Sequence, residues 1–145
     1  MIAYLDEIGI YAEQSVYLLL PGLAVDPVFT LAILNSKLLS YLFRNCFITN
    51  PIAYPYIQHY DLEQLPIRTI NFDDPADVAR HDKMVALVER MLGLHKKLAA
   101  ATIPADKQLY QRQIEATDRQ IDALVLELYG LTGEEIGVVE GLDHE

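Results

Sequence analysis

Four histidines, His59, His81, His95 and His144, are the first side chains to test for chemistry, and no two of them stand four residues apart. A zinc site of the helical His-x-x-x-His type is therefore absent. His81 beside Asp82, and His95 beside Lys96 and Lys97, fit polar positions of an exposed helical arm, while His59 fits a loop residue packed on tyrosine rings. The carboxylate pairs Asp73-Asp74 and Glu134-Glu135 fall where helices should begin. There the helix macrodipole favours them as caps rather than as acid-base pairs. A Mg²⁺-dependent nuclease needs acids and a lysine converging from a strand pair, and the sequence offers no such set. Cys46 is the sole cysteine, without a disulfide partner or a nearby base, and fits a small buried or half-buried residue near a helix end. These residues support no enzyme.

The elements that would have to position any of these groups are mostly helical. Met84, Leu87, Met91, Leu94 and Leu98 recur at steps of three and four, and Ile114, Thr117, Ile121, Leu124 and Leu128 repeat the pattern after a break at Thr102-Ile103-Pro104. One apolar seam per segment predicts an antiparallel helical hairpin of coiled-coil character. Its arms would be roughly 35 to 40 Å long. Val85, Val88, Leu92, Val125 and Leu126 lie beyond the seams and predict a homodimer through the hairpin. Thr132 with Glu135 forms a capping box after Gly130, predicting a short last helix over 133–139.

Upstream, 8–12 and 16–20 are β-rich runs that predict a hairpin or two successive strands. Asp26 as N-cap and Pro27 at the first helical position open a helix over about 27–45 that should pack on those strands. Its polar residues Asn35, Ser36, Lys37, Ser40 and Arg44 gather on one side, as a solvated face or as a surface for phosphates or a neighbouring domain. The aromatic and proline-dense stretch 47–60 predicts an ordered loop. Within it Asn50-Pro51-Ile52-Ala53-Tyr54 echoes the Asn/Asp-Pro-Pro-Tyr motif of amino-methyltransferases. The echo fails, because the second proline is missing, the tyrosine is displaced and no Gly-rich cofactor loop precedes it. Asp61 then caps a helical turn ended by Pro66, 67–70 is extended, and Asp74-Pro75 opens the first long helix. The expected fold class is α+β: a small β-hairpin and helix head over 1–72, joined to a long antiparallel two-helix hairpin with a short C-terminal helix over 73–145.

A chain of 145 residues that is 52% hydrophobic has the material for a real core. It lacks a run suited to a membrane span and a secretion signal at its N-terminus, so no membrane and a cytoplasmic location are expected. The formal charge of −10 opposes nucleic-acid binding, which draws its affinity largely from phosphate neutralisation. Most of the surplus acid lies after Asp73, however, which leaves the head closer to balance.

A strand pair, then Leu34-Asn35-Ser36-Lys37-Leu38-Leu39-Ser40-Tyr41-Leu42-Phe43-Arg44, then Asp61-Leu62-Glu63-Gln64-Leu65-Pro66-Ile67, then helices ending Glu127-Leu128-Tyr129-Gly130-Leu131-Thr132-Gly133-Glu134-Glu135-Ile136, form a recognisable order. It resembles the carboxy-terminal specificity region of TaqI-like and type IIG restriction-modification proteins, from about Ile10 to Val139. Type I specificity subunits share its logic of a target-recognition domain followed by long helices. The resemblance implies that the chain is a carboxy-terminal piece or a small derivative, without a cofactor of its own. Its head would be the distal part of a target-recognition domain that meets double-stranded DNA. Its hairpin would be a spacer against the methyltransferase or nuclease domain of the same system, the parent being a DNA adenine methyltransferase or endonuclease. Such families carry no fixed base-reading set, so the candidate DNA contacts come from chemistry. Lys37, Arg44 and Arg68 suit phosphates, and Asn35, Gln58 and His59 suit phosphates or base edges. The alternative is a protein-interaction scaffold that touches no DNA.

Overall fold

In the computed structural model, residues 2–6, 9, 17, 19, 26–47 and 58–141 are described. The regular elements among them are all helical: α1 Pro27–Asn35, α2 Lys37–Leu42, α3 His59–Glu63, α4 Pro75–Ala100, α5 Pro104–Leu128 and α6 Gly133–Glu140. The expected α+β class is thereby corrected to a mostly helical fold built on a long helical pair. Gly9, Tyr17 and Leu19, the described members of the expected strands, belong to no strand, and the rest of those runs lies outside the described residues. The helix of the head packs on the hairpin instead. β-Branched and aromatic content is a weak guide to strand where no partner surface is specified.

Local chemistry sets the helix starts. The Asp26 carboxylate accepts the N–H groups of Val28 at 2.7 Å and Phe29 at 3.0 Å, and Pro27 occupies the first helical position. Asp74 repeats the device at α4 by accepting from Ala76 at 2.9 Å, ahead of Pro75. At α6 the Glu135 carboxylate accepts the Thr132 N–H at 2.8 Å, completing the capping box. Gly130 at φ +66 turns the chain between α5 and α6 in the left-handed region that glycine enters without steric cost. The expected turn at 61–66 also forms, but α3 begins two residues before Asp61, and the Asp61 carboxylate accepts the Gln58 N–H at 3.1 Å.

The single helix expected over 27–45 is broken at Ser36. Its backbone is extended (φ −66, ψ 157), its N–H ends α1 on the Ile33 carbonyl, and its hydroxyl donates to that carbonyl at 2.7 Å while accepting the Leu39 N–H at 3.2 Å. One serine thus closes one helix and caps the next. A side chain that competes with the backbone in this way disfavours a helix interior and favours a cap. After Leu42 the chain widens into a π turn over Phe43–Phe47. Cys46 sits on that turn and is exposed, not half-buried as its sequence position implied.

α4 and α5 pack along their length as the antiparallel pair the seams required. With 26 and 25 residues they extend roughly 38 Å at 1.5 Å per residue. α1 lies on α4, and α2 lies on α5 and α6, so head and hairpin share one core. Ile33, Leu39, Met84 and Val125 in it are fully excluded from solvent. Val88, Val125 and Leu126, which the sequence offered to a second copy, are buried in this core beneath the head. The ground for a homodimer through those positions is removed. No described helix is long and apolar enough to cross a membrane.

Candidate nucleic-acid interface

Each cation and amide of the head is placed by the contacts just built. Lys37 opens α2, where its N–H donates to the Asp122 carboxylate at 2.9 Å and its Nζ lies 3.5 Å from the second oxygen. Asp122 is buried on α5, and its charge meets both the positive end of α2 and the lysine. The lysine side chain remains 51% exposed, so it can still reach outward with its other donors. Seven residues on, Arg44 is exposed on the π turn and lies on nearly the same side of the helical path, about two turns away. Partial desolvation of Asp118, four residues before Asp122, and then the neighbouring Asp122 charge raise the Asp118 carboxyl above its ordinary range, although the residue as a whole is exposed.

Gln58 and His59 are adjacent at the start of α3 and both exposed. The His59 Nδ1 lies 3.5 Å from Glu63, and its ring is tilted 6.4 Å from that of Tyr17. Asn35 is committed elsewhere: its Oδ1 accepts the Ala3 N–H at 2.8 Å and its Nδ2 donates to the Ala3 carbonyl at 3.0 Å. This two-bond clasp fastens the N-terminal segment to the end of α1. The stretch 48–57, which holds the Asn50–Tyr54 echo, lies outside the described residues.

Arg68 is tied into the base of the hairpin. Its Nε donates to Leu128 O at 3.3 Å, and its Nη2 reaches both oxygens of Asp77 at 3.2 and 3.3 Å. Asp77 is buried and also accepts from Arg80 at 2.6 Å and from the Asn71 N–H at 3.1 Å. The Arg80 hydrogen bond, then the Asn71 one, hold the Asp77 carboxyl below the usual carboxylate range against the opposing effect of burial. A group whose folded pKa is depressed contributes stability above its unfolded value, about 3.9, and loses that contribution as pH falls through the folded value. Thermal melts of the wild type and Asp77→Asn should therefore be well separated at neutral pH and converge below about pH 4. A gap that stays constant through acid would exclude the ionised carboxylate as its source.

Tyr129 completes this junction. Its hydroxyl donates to the Pro66 carbonyl and accepts the Arg68 N–H at 3.1 Å, and burial raises its pKa. Tyr129→Phe leaves the Arg68 N–H without that partner and should cost about 1–3 kcal/mol in a denaturant titration. His81 departs from its expected place. Rather than standing on an exposed arm, it stacks on Phe29 at 5.4 Å and meets the edge of Phe72 at 5.4 Å. A buried acid or histidine on a helix has no one-dimensional mark, although Asp77 and Arg80 at i,i+3 just after the Asp74 cap were a usable hint.

The structure thus brings Lys37 and Arg44 onto one helical path and Gln58 and His59 to one helix start, while Asn35 and Arg68 serve internal contacts. Among the described residues no group of three or more His, Cys, Asp or Glu side chains is placed to hold a metal ion. Neither the curated proteins nor the solved structures contain a significant match to the chain. A family model does match, over residues 1–67, and is described as the TaqI-like C-terminal specificity domain. It ends before the linker 68–74 that leads into α4, so the helices over 75–140, including the 127–136 stretch, lie beyond the matched part. Residues 1–67 of this chain are thus similar to the TaqI-like C-terminal specificity domain.

Proposed function

We propose that the chain is a non-catalytic DNA-specificity module of a restriction-modification system. In it the head meets target DNA, and the helical pair holds that head against the methyltransferase or endonuclease that performs the chemistry. The family match over residues 1–67 carries this reading. Lys37 and Arg44 are its phosphate contacts, and Gln58 and His59 its candidates for base edges or sugar-phosphate. Asn35 and Arg68 act indirectly, by fixing the N-terminal segment and the linker. A cytoplasmic location and the lack of a cofactor of its own belong to the same reading.

A second reading, a scaffold that binds only protein, is favoured by the charge of −10 and by the engagement of Arg68 and Arg80 with Asp77. Fluorescence anisotropy with a labelled duplex separates the two. The DNA reading predicts binding at low salt that weakens steeply as salt rises, because each neutralised phosphate adds about 0.9 to the slope of log K against log salt. No binding at low salt would favour the scaffold.

A further inference from the structure

Cations are distributed unevenly along the hairpin. Its distal end, residues 90–112, carries Arg90, Lys96, Lys97, Lys107 and Arg112 against the single acid Asp106, a net +4 in a chain whose total is −10. The remainder of the chain therefore stands at −14. All five cations are exposed, as is His95 among them. Among the described residues none of them forms an ion pair, whereas Lys37, Arg68 and Arg80 nearer the head are each held by a buried acid. Helix stability does not account for the cluster. Lys97 in the last turn of α4 suits the macrodipole, but Lys107 lies in the opening turn of α5, where a cation opposes it.

Exposed cations without ion-pair partners at one end of a rod, bounded by Glu89 and Glu115, on a strongly acidic protein, suit a polyanion. Its position is defined by the rod. From Asp122, which holds Lys37, to Lys107 is fifteen residues of α5, or about 22 Å. That distance corresponds to roughly six base pairs of duplex at 3.4 Å each. We propose that the distal end of the hairpin grips the phosphate backbone of duplex DNA about six base pairs outside the stretch met by the head, so that the spacer is itself a DNA contact. This rests on the DNA reading of the head given above.

The test compares two variants of the full chain: the distal triple Lys96→Gln, Lys97→Gln, Lys107→Gln and the head double Lys37→Gln, Arg44→Gln. Each is titrated with a duplex of about 30 base pairs over a range of salt, and circular dichroism checks that the helices are kept. The expected result is that the distal triple lowers the salt slope by up to roughly 2.7, at about 0.9 per contact. On a duplex too short to extend past the head, it should match the wild type. If the triple binds the long duplex as the wild type does while the head double is weakened, the distal contact is overturned and the reading of the head stands. The reverse pattern overturns the reading of the head, and with it the proposal that the distal contact lies at a set distance from a head contact. Binding of poly-L-glutamate that the triple abolishes, with duplex binding unchanged, assigns the surface to an acidic protein and overturns the proposal, as does a wild type that binds no duplex.

Discussion

Leu39→Ala should lower the free energy of unfolding by about 3 kcal/mol, within the range of large-to-small core changes. The midpoint should fall by roughly 6–12 °C for a chain of this size. Leu39 on α2 is fully excluded from solvent, in the core that also contains Met84 of α4 and Val125 of α5. Truncation removes apolar contacts on both sides of the junction between head and hairpin, and the helices around it are too interlocked to close the gap. Because the core is shared, the loss should appear in one cooperative transition, with the helical signal and tertiary probes falling together. A hairpin that keeps its own melting temperature in the Leu39→Ala protein would show that the two parts fold separately. The long seams would then suffice alone, contrary to the packing of α1 and α2 upon them.

Lys37→Gln with Arg44→Gln should weaken duplex binding by roughly 60-fold at 0.1 M salt, if each side chain neutralises one phosphate at about 0.9 per contact. The salt slope should drop by about 1.8 in the same titration. Lys37 meets Asp122 twice, through its N–H and through its Nζ at 3.5 Å, and only the second contact is lost in the variant. The N–H that meets Asp122 remains in the glutamine variant, so α2 keeps its cap while the outward charge is lost. Arg44 is exposed on the π turn, so its replacement removes no buried contact. A modest loss of stability, from the Asp122 carboxylate left without its lysine, together with weakened binding is the expected pair of outcomes. Unchanged affinity in a well-folded double variant would move the phosphate contact off this helix.

What the sequence disclosed is what neighbouring residues determine. Asp26-Pro27, Asp74-Pro75 and Thr132 with Glu135 act over three or four residues, and each forms the cap expected of it. The two seams and the break at 102–104 were legible because a period of three and four over more than twenty residues leaves no competing element. Partnership across the fold was not legible. Whether Val88 and Leu126 face a second copy or the protein's own α1 and α2 depends on where the head lands, which no local pattern states. His81 reads as a polar position of an exposed arm, yet it is largely withdrawn from water against Phe29 of α1, and Asp77 and Asp122 are buried against Arg68 and Lys37 in the same way.

Of the candidate contacts, only residue type was legible. Residue type marked Lys37, Arg44, Gln58 and His59 as polar, and the structure leaves all four exposed. The same reasoning marked Arg68 and Asn35, whose donors turn out to hold the linker and the N-terminal segment. An arginine that locks a junction and one that meets a phosphate are identical in a string of letters. They differ in whether a buried acid such as Asp77 lies within reach.

The central claim, that residues 1–67 select DNA by sequence, is tested most directly by repeated selection of duplexes from a randomised library with the purified full chain. Sequencing the retained pool should reveal one short motif, enriched further in each round, kept by the Lys37→Gln, Arg44→Gln protein at lower affinity and changed in the pool selected by a Gln58→Ala, His59→Ala protein. A retained pool indistinguishable from the starting library, round after round, would contradict it.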